Sequence, residues 1–329
     1  MISLAETPRG LRQSPPIVCN PSRRCTETVN KRPAKRLWKK LLPVPWAVLT
    51  GACGLTDAPV LDAKGPIALA ERELLLAASA VMLLVVLPVI VMTLWFAWRY
   101  RASNTHARYT PAWTYSGKID AVVWAVPTVI VLVLGVLVWT YTHRLDPYKR
   151  LDPTQQRLEV QAIAQDWKWL FLYPAQGIAT VNELAFPSGM PLNLQITSDT
   201  VMNAFSIPAL GGQIYAMAGM RTKLNLLADV PGRFVGRNTQ YSGRGFSQQQ
   251  FTAVAMTRQG FDDWIARVKQ SPNALDAAAY ERLARPSTLP GVTRFSSYKA
   301  GLFDEIIAKY SAHRPRMIEP KADRAMRRH

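Results

Sequence analysis

The chain has 329 residues, 40 Lys and Arg against 22 Asp and Glu, and a formal charge of +18. Its three cysteines, Cys19, Cys25 and Cys53, all lie near the N-terminus, and no Cys or His occurs between residues 144 and 312, which excludes a disulfide scaffold or a thiolate or imidazole metal centre there. No nucleic-acid motif accompanies the positive charge, so it points to a membrane surface.

Residues 1–30 carry little pattern, and residues 1–52 hold ten Lys or Arg against two Glu. A basic run (Lys31, Arg32, Lys35, Arg36, Lys39, Lys40) precedes a short apolar stretch at 41–52, the layout of a secretory signal. That stretch ends Leu49-Thr50-Gly51-Ala52-Cys53, similar to a bacterial lipobox. Residues 1–52 are therefore read as a leader with a lipoprotein signal, and Cys53 as the lipidation candidate. The alternative is an uncleaved cysteine in a membrane-associated segment. Residues 53–73 form a short periplasmic N-terminal segment in this reading.

Two uncharged apolar stretches follow, 74–98 and 121–141. At about 1.5 Å per helical residue, each spans a hydrocarbon core of about 30 Å. Neither has a polar face, so each reads as a transmembrane helix. The loop between them, 99–120, carries Arg99, Arg101, Arg108 and Lys118, with Asp120 as its only acid. The positive-inside rule puts this loop in the cytoplasm and both ends of the hairpin on the periplasmic side. Trp95, Trp98 and Tyr100 mark one interface, and Trp139 and Tyr141 the other. Two spans without polar lining make no channel, so a larger membrane partner is expected.

From residue 157 the pattern turns to short β-rich runs: 157–164, 167–173, 191–197, 213–218, 223–227 and 251–256. Pro and Gly break the intervals, and the whole predicts a β-sandwich over 155–258. Residues 260–312 are aromatic-rich and helical, with helices expected at 261–269, 275–283 and 303–310. The five methionines between 190 and 256 read as core packing. The basic segment 313–329 reads as a disordered tail.

The chain resembles subunit II of haem–copper respiratory oxidases, in the quinol-oxidising branch of the cytochrome bo type. The resemblance covers roughly residues 49–312. It rests on the lipobox-like Cys53, FAWRYRASN at 96–104, KIDAVVWAVP at 118–127 and the aromatic strand at 167–173. It also rests on SDTVMNAFSIPALG at 198–211, Pro231-Gly232-Arg233, YSGRGF at 241–246 and the segment after Phe261. The implied fold is a membrane-anchored all-β protein: a two-helix hairpin, a cupredoxin-like sandwich and a short helical C-terminal region.

In cytochrome c-oxidising relatives the sandwich holds two coppers. The resemblance puts their two His positions on Asn203 and Gln249, the Cys–x–Glu–x–Cys pattern on Tyr241, Gly243 and Gly245, and the Met on Thr252. Every side-chain ligand is missing, so no metal or other cofactor is expected in this subunit. Asn203, Tyr241 and Gln249 read as structural polar groups, and Trp167 and Trp169 as aromatic packing.

The resemblance further implies ubiquinol as the substrate of the complex, and haems and one copper in partner subunit I. Subunits III and IV and membrane lipids are further partners, and the complex sits in the bacterial inner membrane. This chain is then a non-catalytic subunit of a proton-pumping quinol:oxygen oxidoreductase that stabilises subunit I. Asp120 lies where the family often has a Glu near a proton channel, so it is a proton-entry candidate. The alternative role for Asp120 is an interfacial or helix-capping acid. Two other functions stay open: a membrane-anchored binding or assembly module, and a copper-bearing cytochrome c oxidase subunit.

Overall fold

The computed structural model describes residues 58–108, 110–151, 154–289 and 291–311. The leader, Cys53 and the segment 313–329 lie outside the described residues.

Helix α1 (Pro66–Arg99) starts behind Gly65, with proline at its first turn, where a missing N–H costs nothing. Helix α2 (Gly117–Arg144) has Asp120 in its first turn and Arg144 in its last, each sign complementing the helix dipole. Both helices extend beyond their uncharged stretches, and they pack on each other. Large apolar side chains project all round, Trp124 being 77 % exposed. Thr93, Thr128 and Thr140 each donate to the carbonyl four residues back, at 2.7–2.8 Å, so these three hydroxyls are bonded within their own helix.

A short joint fastens α1 to the β-domain. Lys64 N donates to Ala209 O at 2.8 Å, and Asp229 N donates to Lys64 O at 3.0 Å. Gly65 is buried so closely that a Cβ there would stand 2.1 Å from Leu227 O. Only glycine lets the chain pass at that distance.

The β-domain is a two-sheet sandwich. The strands are β1 (Leu158–Gln165), β2 (Lys168–Tyr173), β3 (Ile178–Val181), β4 (Glu183–Pro187), β5 (Leu192–Ser198), β6 (Asn203–Ile207), β7 (Gly211–Ala216), β8 (Thr222–Leu226), β9 (Gly232–Asn238) and β10 (Gln250–Met256). After helix α3 (Arg258–Lys269) come β11 (Ala274–Leu275), helix α4 (Ala277–Ala284), β12 (Thr293–Phe295), β13 (Ser297–Tyr298) and helix α5 (Leu302–Ser311). One sheet has the order β12-β3-β2-β1-β5-β8 and the other β4-β10-β9-β6-β7; β11 and β13 form a two-stranded pair. β1 runs parallel to β5, and β4 parallel to β10; the other pairings within the two large sheets are antiparallel.

Between the sheets lie Trp169, Phe171, Phe205 and Phe251. The Phe205 and Phe251 rings stack at 5.0 Å, and Trp169 meets Phe205 edge-on at 5.1 Å. Burying each such side chain contributes on the order of 2–3 kcal/mol. A second cluster forms on the outer side of the six-stranded sheet: Ile163, Leu170, Leu172, Ala179 and Val181 pack under Leu275, Phe295, Leu302, Phe303 and Ile306. The C-terminal region thus covers that sheet, which is why β2 is buried at every position instead of alternating.

Several local expectations change. β3, β4, β6 and β9 have no apolar alternation that marks them, and sheet pairing alone makes them strands. Leu275 belongs to β11, and α4 starts at Ala277 because the Asp276 side chain caps it, accepting from Ala279 N at 2.7 Å. Met202 is exposed and not a core residue; Met190 and Met256 pack against the core.

Candidate functional site

The strand ends β1, β6, β9 and β10 converge at one end of the sandwich, where the resemblance puts the lost copper ligands. Asn203 opens β6, and Gln249 sits just before β10, after a 3-10 turn at Phe246–Gln248. Both are fully buried. Asn238, the last residue of β9, joins them. Its Nδ2, with two hydrogens, has three acceptors within reach: Asn203 Oδ1 at 2.7 Å, Gln249 Oε1 at 2.9 Å and Ser242 Oγ at 3.1 Å. Its Oδ1 accepts from Ala204 N at 2.8 Å and Gln240 N at 3.0 Å. Ser242 Oγ donates to Gln249 Oε1 at 2.9 Å, and Gln249 Nε2 donates to Gln165 O at 3.2 Å. Asn203 Nδ2 turns the other way, to Val201 O at 2.9 Å.

Each carboxamide therefore spends its donors and acceptors on its neighbours. A two-copper centre needs soft thiolates and imidazoles. Amides and one hydroxyl, already bonded to one another, do not fit it. They do join strands from both sheets, as a closed buried polar network can.

Trp167 completes this end. It holds a left-handed backbone (φ 66°), and its Nε1 donates to Ser242 O at 3.0 Å. The indole covers Gly245 so closely that a Cβ there would lie 2.3 Å from Trp167 Cδ2. Gly243 has φ +102°, a conformation that favours glycine. The other positions stand apart from the network. Tyr241 is 71 % exposed and leans on Phe246 with ring centroids 5.7 Å apart. Thr252 sits outward on β10 opposite Val235. Trp169 is in the core. Asp120 is exposed in the first turn of α2, its N–H donating to Ser116 O at 3.0 Å.

Sequence reasoning missed Asn238 and Ser242, which carry no signal beyond their residue type. It also missed three charged groups that fasten the C-terminal region to the sandwich. Asp199, buried, accepts from Tyr280 OH at 2.5 Å and Lys309 Nζ at 2.9 Å, while its carbonyl accepts from Tyr310 OH at 2.6 Å. Glu183, also buried, accepts from Arg294 Nε at 2.8 Å, Arg294 Nη2 at 2.9 Å and Trp264 Nε1 at 3.2 Å. Lys168, with 0 % exposure, donates to Ser287 Oγ at 2.8 Å and Arg285 O at 2.9 Å. Burial pulls the Lys168 ammonium below its usual range. Burial, then the bond to Asp199, pushes the Tyr280 phenol well up; the same Asp199 bond raises Lys309.

Residues 269–314 match the family model described as the COX Aromatic Rich Motif. The chain is 52 % identical over 276 residues to cytochrome bo(3) ubiquinol oxidase subunit 2 of Pseudomonas aeruginosa, covering 84 % of this chain and 82 % of that one. It is 48 % identical over 267 residues to ubiquinol oxidase subunit 2 of Acetobacter aceti, covering 80 % and 86 %. A solved structure, the periplasmic domain of subunit II of cytochrome oxidase from Bradyrhizobium japonicum, matches 35 % of this chain and 94 % of its own at 22 % identity, with a TM-score of 0.34. The relatives place the hairpin, sandwich and aromatic-rich end in the class of haem–copper oxidase second subunits. Within it, the chain belongs to the ubiquinol oxidase subunit 2 family.

Proposed function

We propose that this chain is the non-catalytic subunit II of a proton-pumping quinol:oxygen oxidoreductase. The complex would oxidise two ubiquinols with one dioxygen, giving two quinones and two waters. The observation that carries this reading is the closed amide network at the copper end, in a chain 52 % identical to a ubiquinol oxidase subunit 2. A sandwich end built of bonded amides offers no landing place for electrons from cytochrome c. The donor is then a quinol oxidised in the membrane, in subunit I, which would hold the haems and one copper. The hairpin would dock on subunit I in the inner membrane, with the sandwich on the periplasmic side and subunits III and IV completing the assembly. Cys53, if processed, would add a lipid anchor.

The test is to purify the tagged full chain from membranes and record the haem spectrum and ubiquinol-dependent oxygen uptake of what comes with it. Haem with ubiquinol oxidation supports the reading. A chain that comes alone, or with purple copper absorbance of its own, overturns it.

Asp120 is proposed as an acid near the proton entry. Asp120→Ala should lower turnover at saturating ubiquinol several-fold, with Asp120→Glu restoring it. Unchanged turnover and pumping in Asp120→Ala would leave only a helix-start role.

A further inference from the structure

Helices α4 and α5 leave a groove between them, with a volume of about 250 Å³. Leu275, Leu302 and Ile306 form its floor, each of them already buried against the six-stranded sheet. The rim is charged, with Asp199, Asp276, Glu281 and Glu305 against Lys299 and Lys309. Both lysines are taken: Lys309 by Asp199 at 2.9 Å and Lys299 by Glu305 at 2.8 Å. Asp276 gives one oxygen to Ala279 N, and neither it nor Glu281 has an ion pair among the described residues. Two negative charges are thus left over, one residue before α4 and one on it, beside an apolar floor.

The chain that follows α5 has the complementary chemistry. Residues 312–329 carry Arg314, Arg316, Lys321, Arg324, Arg327 and Arg328 against Glu319 and Asp323. Their first part reads Arg314-Pro315-Arg316-Met317-Ile318, two cations directly before two apolar side chains. The segment leaves α5 at Ser311, two residues past Lys309 on the rim. Along the helix, Lys309 to Leu302 is about 10 Å, whereas the six residues from Ser311 to Met317 reach about 20 Å when extended. A chain that reverses after Ser311 therefore brings residues 314–318 alongside the groove.

Such a segment has too few apolar residues to fold alone, but a groove that takes two of them can order it. Guanidiniums bind carboxylates bidentately, which fixes the register as well as the sign. The tether decides the occupant. A segment joined to the rim by a few residues is present at an effective concentration of about millimolar, so a free basic ligand must displace it. We infer that residues 314–318 seat in the groove between α4 and α5. Met317 and Ile318 lie over Leu302 and Ile306, and the two arginines face Asp276 and Glu281. The seated segment ties α4 to α5 from outside, as Asp199 ties both to the sandwich from within.

The test is hydrogen exchange, followed by mass spectrometry, on the full chain purified from its membrane. In the wild type the amides of residues 316–319 should exchange about tenfold more slowly than in a free peptide of the same sequence, and about 0.5 M salt should weaken that protection. Glu281→Lys should bring them to within about twofold of the peptide, and so should Arg314→Glu with Arg316→Glu. Combining the three substitutions sets opposite charges face to face again and should restore most of the protection. Should Glu281→Lys unfold α4, Glu281→Gln takes its place, with an expected loss of about threefold. Peptide-like exchange at 316–319 in the wild type overturns the inference. So does protection that the Glu281 variants leave unchanged, because the segment then lies on another surface. A combined variant no better protected than its parents overturns it too, since charge pairing would not be what seats the segment.

Discussion

Asn238 carries more of the fold than its place in the sequence suggests. Its one side chain bonds Asn203, Gln249 and Ser242 and two backbone N–H groups. Asn238→Ala would leave several buried polar groups unpaired, at about 1–3 kcal/mol for the first and less for those that rearrange. Thermal unfolding should show a clear loss, and a melt within a degree of wild type would mean the network is loose. Gly245→Ala should cost about 1–3 kcal/mol, because its methyl meets the indole of Trp167 at 2.3 Å. Trp167→Ala made in the same chain should recover part of that loss. If the double variant is no better than the sum of the two, the clash is not the cause.

At the scale of elements, the C-terminal region is held on the sandwich by an apolar cluster and by a few charged groups. Asp199→Asn should weaken the attachment of α4 and α5, read as faster proteolytic cleavage after residue 269 with the sandwich intact. The contact also has a predictable pH dependence. Lys309 and Tyr280 have raised folded pKa values, so the stability they contribute is fully present below their unfolded values, about 10, and is lost as pH rises through the folded ones. Lys168 has a lowered value and works in the opposite direction, since releasing its proton relieves a buried charge. The attachment should therefore be insensitive to pH around neutrality. Above pH about 10, the double variant Lys309→Met with Tyr280→Phe should lose less stability than wild type. Equal alkaline slopes would show that these groups do not hold the region.

For the whole molecule, the mechanical question is how a membrane hairpin holds a sandwich in place. The joint is short: Lys64 bridges Ala209 and Asp229, and Gly65 passes against Leu227. Gly65→Val should leave the sandwich folded, because its core lies elsewhere, but open the joint to proteolysis around residues 58–66. It should also lower the haem recovered with the chain. Unaltered cleavage and recovery would show that α1 needs no tight passage here.

Much of this architecture is written in local pattern. Uncharged runs of 25 and 21 residues can only be helices in a membrane or a large core, and strands such as β5 show their alternation directly. The absence of Cys and His from 144 to 312 settles the available donor chemistry without any coordinates. Tertiary structure decided the rest. β9 reads Gly-Arg-Phe-Val-Gly-Arg-Asn, with no apolar period, and becomes a strand because β10 and β6 pair with it. Asn203, Asn238 and Gln249 look like scattered polar residues until the chain folds. Asn203 then meets a partner 35 residues away and Gln249 one 84 residues away. Composition limits which atoms a site can offer, but a hydrogen bond is satisfied only by what folding brings within about 3 Å.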